Sequence, residues 1–192
     1  MQVGLFFGSF NPVHTGHLII ANYMADYTQL DQIWFVVSPQ NPFKVNDELL
    51  DEKLRYELLQ KAISDDDRFQ VSDIEFKLPR PSYTEHTLKA LVTEYPEHQF
   101  TLIIGGDNLA SFHLWKNYQE ILDRHAVFVY ARVGIVEKPL LANHPSIKLF
   151  EVPLLNISST YIRETIQAGK SIRYLVPEPV RKDIVSRGLY RN

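Results

Sequence analysis

Met1–His17 reads MQVGLFFGSFNPVHTGH: an apolar run, Gly8, a turn of small and helix-breaking residues, then two histidines three positions apart as a new segment begins. A short apolar run closed by glycine predicts a buried strand. Thr15–Tyr27, rich in Leu, Ile, Ala and Met and free of proline, predicts the helix that follows it. Ile33–Val37 is a second apolar run, stopped by Ser38-Pro39. Strand, helix and strand in this order form the crossover unit from which parallel sheets are built.

The same alternation continues outward. Asp51–Ile63 places Leu54, Leu58, Leu59, Ala62 and Ile63 on one helical face, and Phe69–Ser72 is the next strand. A helix over Thr84–Glu94 leads to Gln99–Ile104, the most strand-like segment, which runs into Gly105-Gly106-Asp107. Asn117–Arg124 reads as helix, and Ala126–Ala131 and Ile147–Val152 read as strands. Ser158–Ala168 and Pro177–Arg187 are helices with Gly169 and Gly188 just past their ends. The order predicts an α/β fold, a doubly wound and mainly parallel sheet, in one domain over 1–192 with a C-terminal helical part from about 157 packed on it. In such a sheet the first and fourth strands adjoin at the switch point, and ligand binds outside the carboxyl ends.

Composition narrows the chemistry. Among 192 residues there is no cysteine, which excludes disulfides, thiolate nucleophiles and cysteine-bearing metal sites together. A net charge of -3 excludes a polycation built to coat nucleic acid, yet an anionic partner remains compatible. From Ile157 onward 7 Lys and Arg stand against 3 acids, so a basic end adjoins an acidic body. The start lacks a secretory signal and no run approaches a membrane span, so a soluble cytoplasmic protein without a membrane partner is expected, as a monomer or small homo-oligomer.

Gly8-Ser9-Phe10-Asn11-Pro12-Val13-His14-Thr15-Gly16-His17 joins strand to helix and combines turn-forming residues, two histidines and free helix amides, a favourable setting for phosphate. It is neither GxGxxG nor GxxxxGK followed by Ser or Thr. Taken alone, His14 and His17 leave open local packing at the helix entry, a metal pair and phosphate donation. Gly105-Gly106-Asp107 would face the same crevice, with Asp107 either meeting ribose hydroxyls or capping the next helix. Asn156–Arg163, NISSTYIR, again puts hydroxyl residues at a helix start, and Arg163 one turn inside offers a planar fork for phosphate.

GSFNPVHTGH, SPQNPFK and ISSTYIR together resemble the nucleotidyltransferase superfamily that carries HxGH and ISxTxxR. SYTEHTL and GGDNLASFHLWKNY narrow the resemblance to bacterial nicotinate-mononucleotide adenylyltransferases. Two positions depart from the family's GGTFDP or GGSFDP: Phe7 replaces a glycine and Asn11 an aspartate. The resemblance implies a Rossmann-like fold and transfer of AMP from ATP to nicotinate mononucleotide, releasing pyrophosphate without a covalent enzyme intermediate. It implies that His14, His17, Lys44 and Arg163 are catalytic, and that ATP is bound by these four with Gly8, Ser9, Phe10, Gly16, Gly105, Asp107, Ile157, Ser158 and Thr160. Ser9, Tyr83, Thr84, Trp115 and Tyr118 would receive the mononucleotide, with Trp115 stacked on the pyridine and amides near Thr84 on its carboxylate. Mg²⁺ would be held mainly by the ATP phosphates. Rival readings are an adenylyltransferase for nicotinamide mononucleotide or phosphopantetheine, a nucleotide-binding sensor without turnover, and a zinc or manganese hydrolase.

Overall fold

The structure is a computed structural model that describes residues 1–40, 49–131, 141–153 and 155–191. Six strands, β1 (Gln2–Gly8), β2 (Gln32–Val37), β3 (Phe69–Ser72), β4 (Gln99–Gly105), β5 (Ala126–Ala131) and β6 (Ile147–Glu151), form one sheet in the order β3-β2-β1-β4-β5-β6. Every adjacent pair is parallel. The apolar residues of the strands divide by parity, as the two-residue period of a strand requires. Phe6, Ile33, Phe35, Val37, Ile103 and Phe128 belong to one core, and Val3, Leu5, Trp34, Val36, Leu102, Ile104, Val127 and Val129 to the other. Both faces are therefore covered, which is why these strands read as continuous apolar runs.

Helices α1 (Thr15–Tyr27), α2 (Glu52–Ala62), α6 (Ser159–Gln167) and α7 (Glu178–Ser186) supply Met24, Leu58, Ile162 and Val180 to the first core. Helices α3 (Thr84–Glu94), α4 (Gly106–Ser111) and α5 (Tyr118–Arg124) supply Leu88, Leu109 and Ile121 to the second. The chain changes face as it passes from β3 through α3 to β4, beside β1. There Leu5 pairs with Leu102 and Phe6 with Ile103, so the turns after β1 and β4 open side by side. The doubly wound parallel sheet expected from the sequence is present, with β1 and β4 adjacent.

The differences are local. Ile74–Lys77 forms a 3-10 turn, and α4 begins directly at Gly106 after Gly105. Asp107 therefore lies in the first turn of α4 and makes no capping bond, unlike the capping alternative. Asn117 precedes α5 in a left-handed conformation (φ 53°), which shortens that helix by one residue. Gly169 (φ 65°) and Gly188 (φ 64°) end α6 and α7 in the left-handed conformation that glycine adopts without a steric penalty.

Arg55 of α2 was not anticipated in the core. It falls in the same helical stripe as Leu58, Leu59 and Ala62 and is 1% exposed. Its Nε donates to the Leu50 carbonyl (2.8 Å), Nη1 to those of Ser9 (2.5 Å) and Ser38 (3.0 Å), and Nη2 to that of Pro39 (3.4 Å). One guanidinium thus ties the turns after β1 and β2 to the entry of α2. Arg55→Met keeps much of the stem but leaves four carbonyls without this donor; unfolding free energy should fall by about 3 kcal/mol. Denaturant midpoints measure this, and a variant as stable as the parent would remove the guanidinium from its tying role.

Candidate active site

The turn after β1 is shaped from beneath. Phe10, at φ 46° and 2% exposed, sends its ring into the core against Phe6 and under His17, with ring centroids 5.9 and 5.1 Å away. Only the Phe10 backbone is left to face a ligand. Asn11 is also buried, and its Oδ1 accepts the Leu50 amide at 3.2 Å. The aspartate-to-asparagine departure thus preserves a turn-bracing acceptor.

His14 caps α1 and His17 occupies its third position. The His14 backbone N–H donates to His17 Nδ1 (3.2 Å), so the neutral His17 ring carries its proton on Nε2. The two imidazoles stack at 3.6 Å between centroids. A Cβ on Gly16 would lie 3.1 Å from His14 Cε1 and Nδ1, so the glycine makes room for this fold-back. Burial pushes the His14 imidazole down to about 4. Burial, joined by repulsion from His14, also holds His17 well below its ordinary value. In the free protein both rings are neutral at pH 7, because no carboxylate among the described residues offsets their desolvation. His14 Nδ1 is buried and has no hydrogen-bond partner among the described residues.

The late motif reaches this turn from some 150 residues away. Ser158 caps α6 by accepting the Tyr161 amide (3.1 Å), while Ser159 Oγ donates to the Pro12 carbonyl (2.9 Å). Arg163 donates through Nη1 to the Asn11 carbonyl (2.9 Å) and through Nη2 to Thr160 Oγ1 (3.4 Å). The Thr15 amide donates to the Leu175 carbonyl (2.9 Å), a further tie between α1 and the C-terminal segment. Ile157, partly buried, packs on the first core. The amino ends of α1 and α6 thus converge on one turn, and both favour anions.

Beside them lies a cavity of about 430 Å³ whose wall includes Phe7, Gly8, Ser38, Glu75, Tyr83, Thr84, Trp115 and Tyr130. A larger depression of about 830 Å³, lined by Gln2, Gln99 and Ala126, lies at the opposite, amino ends of the strands. The smaller one is at the carboxyl ends, where doubly wound sheets bind ligand, and Gly8, Tyr83, Thr84 and Trp115 of the sequence motifs line it. Phe7, the other family departure, forms part of its wall. Tyr130 is pushed up to about 12 by burial and by Asp107, so its hydroxyl remains a donor at neutral pH. Burial also raises Glu75, against the opposing effect of the Thr87, Ser38 and Ser82 hydroxyls; Thr87 Oγ1 donates to its Oε1 at 2.8 Å.

Of the residues expected to bind the mononucleotide, Tyr83, Thr84 and Trp115 share this wall. Tyr118 does not line the cavity and packs on the second core, because the left-handed Asn117 starts a new helix there. Ser9 also lies off the cavity wall; its carbonyl is engaged by Arg55. Asp107 is exposed at the start of α4, beside Gly105. Lys44 lies outside the described residues. Sequence reasoning missed Arg55, Glu75, Ser38, Tyr130 and Lys116; for Arg55 the available signal was a cation set in an apolar helical stripe. Among the described residues no three His, Cys, Asp or Glu side chains gather as a metal cluster, and no helix is long and apolar enough to cross a membrane.

The cytidylyltransferase-like family model matches residues 5–165. The relative from Cytophaga hutchinsonii named as a probable nicotinate-nucleotide adenylyltransferase is 51% identical, with 100% of both chains covered. This chain belongs to the nicotinate-nucleotide adenylyltransferase family of cytidylyltransferase-like proteins. A relative of the same name from Flavobacterium johnsoniae is 47% identical, again over 100% of both chains. In fold, the chain is similar to the Plasmodium falciparum nicotinic acid mononucleotide adenylyltransferase solved with NaAD (TM-score 0.80, 18% identity, 98% of this chain and 97% of that one). A Vibrio parahaemolyticus structure described as a nicotinate-nucleotide adenylyltransferase gives a TM-score of 0.74 at 24% identity, covering 100% and 96%.

The histidine pair generates a pH prediction. Below its ordinary value of 6.5 the unfolded His14 ring binds a proton that the folded ring resists until about pH 4. Stability from this source is full above about pH 6.5 and declines as pH falls towards 4. Melting temperatures between pH 7.5 and 4.5 should fall less steeply for His14→Gln than for the parent. Equal slopes would place the acid sensitivity elsewhere.

Proposed function

We propose that this protein transfers AMP from ATP to nicotinate mononucleotide, forming nicotinate adenine dinucleotide (deamido-NAD) and pyrophosphate. The observation that carries this reading is the docking of α6, through Ser159 and Arg163, onto the HxGH turn beside a cavity walled by Tyr83, Trp115 and Tyr130. A phosphate site and a pocket for a flat ring adjoin each other, as joining two nucleotides requires. The 5′-phosphate of the mononucleotide attacks the α-phosphorus of ATP; one P–O bond forms as the bond to pyrophosphate breaks. The chain offers donors and alignment for this step.

His17 donates from Nε2 to the α-phosphate, and His14 from beside it. Negative phosphate oxygens raise the affinity of both rings for a proton, so charge is supplied when substrate arrives. Arg163 has further N–H groups beyond those bonded to Asn11 and Thr160, and with Ser158, Thr160 and the amides of α6 it holds the leaving pyrophosphate. Lys44 adds a cation over the triphosphate from the segment after β2. Gly8, Ser9, Phe10 and Gly16 present the turn's backbone, Ile157 seats α6, and Gly105 and Asp107 address the ATP ribose. Trp115 stacks on the pyridine, and the amides at the start of α3 near Thr84 meet its carboxylate. Mg²⁺ belongs to the substrate, carried on phosphate oxygens and water. The same reading has the enzyme act in the cytoplasm, as a monomer or small homo-oligomer.

Purified protein with ATP, Mg²⁺ and nicotinate mononucleotide should release pyrophosphate and form the dinucleotide; no release would overturn the proposal. His17→Ala should lower kcat by about 10²–10³-fold while the melting temperature changes little. Near-parental turnover would return His17 to a packing role.

A further inference from the structure

The cavity wall holds two charged side chains of opposite sign. Among its lining residues Glu75 is the only carboxylate and Lys116 the only cation. Glu75 is 1% exposed and bonded by Thr87, so it belongs to the floor. Lys116 is exposed and immediately follows Trp115, at the rim. Its ammonium is not left to wander: Nζ lies 4.9 Å from the centroid of the Tyr83 ring and 3.1 Å from His86 Nε2. Tyr83 and His86 belong to the amino end of α3, where Tyr83 is the cap and Thr84 the first residue. No carboxylate among the described residues is within ion-pair distance of Lys116. Glu85 touches the same His86 nitrogen (3.3 Å) and pairs with Lys89, so the Lys116 ammonium stands one contact away from a carboxylate without pairing with one, at the end of α3 whose amides carry a partial positive charge.

Resting on the reading above, we propose that Lys116 is a specificity-determining residue that makes the pocket prefer a pyridine carboxylate over the corresponding carboxamide. Backbone amides at the start of α3 donate as readily to an amide carbonyl as to a carboxylate oxygen, so by themselves they separate acid from amide poorly. An ammonium adds two differences. It attracts the formal negative charge that only the acid has, and it offers donors alone. A carboxamide turned towards it presents either one oxygen without that charge or an NH₂ group facing another donor. The contact with His86 Nε2 and the Tyr83 ring beneath hold the ammonium at the rim in advance, which lowers the entropy lost when substrate arrives. Specificity then comes from attraction to one substrate and mismatch with the other.

The test compares kcat and KM for nicotinate and nicotinamide mononucleotides in the parent, Lys116→Gln and Lys116→Arg. Lys116→Gln should raise KM for the acid about five- to tenfold, with a smaller effect on kcat. The acid-to-amide ratio of kcat/KM should fall by a similar factor, and Lys116→Arg should restore most of it. An unchanged ratio in Lys116→Gln would overturn the role of Lys116 while leaving the adenylyltransferase reading intact. A parent enzyme that fails to use nicotinate mononucleotide at all would overturn both, and the two failures are told apart by the parent's own turnover. A KM that rises equally for both substrates would overturn the proposal and assign Lys116 to general rim packing.

Discussion

A guanidinium buried without a carboxylate holds the mouth of this protein together. Arg55 spends its donors on carbonyls of Leu50, Ser9, Ser38 and Pro39, groups from three segments that otherwise meet only at the carboxyl edge of the sheet. Burial lowers its affinity for the proton, and the Tyr190, Glu52 and Asp51 side chains act in the opposite direction. A guanidinium nevertheless remains charged in a protein interior. Carbonyl oxygens supply partial negative charge but no formal counter-ion. The turn after β1 therefore rests on a fixed cation, and its geometry depends on α2, an element that contributes nothing else to the cradle.

From that constraint the rest of the site follows in layers. Phe10 fills the space under His17, Gly16 lets His14 fold back onto its neighbour, and the His14 amide sets which nitrogen of His17 bears hydrogen. The α6 end is then laid over the turn by Ser159 and Arg163. Both imidazoles are held neutral by burial, while the nearby guanidinium of Arg163 and the helix amides keep the region attractive to anions. Tyr190 lies within electrostatic reach of both Arg55 and Arg163; its hydroxyl is buried without a partner among the described residues, and burial raises its affinity for the proton. The C-terminal segment thus returns beside the first turn of the chain.

Much of this was legible because the signals were local. Apolar runs closed by glycine marked β1 and β4, hydroxyl residues followed by a glycine stop bounded α6, and the crossover pattern placed β1 beside β4. Arg55 was hidden because an apolar helical stripe was read as Leu54 with Leu58, whereas rotation of α2 by one residue buries Arg55 and leaves Leu54 half-buried. Glu75 lies in a 3-10 turn with no periodicity to reveal its inward face. Tyr118 was grouped with Trp115 by proximity in sequence; both rings pack on the second core, but past the left-handed Asn117 the Tyr118 ring no longer lines the cavity as Trp115 does.

The amino-acid sequence by itself determined the alternation of elements, the hydrophobic faces and the anion-seeking helix starts, because periodicity, turn chemistry and capping act over a few residues. Only the tertiary structure decided which of these meet: that α6 caps the first turn, that a buried arginine joins two loops, and that Lys116 stands at the rim of the cavity. Those outcomes depend on contacts between residues tens to more than a hundred positions apart. They are set by the packing of helices against a twisted parallel sheet, and no short stretch of chain encodes them alone.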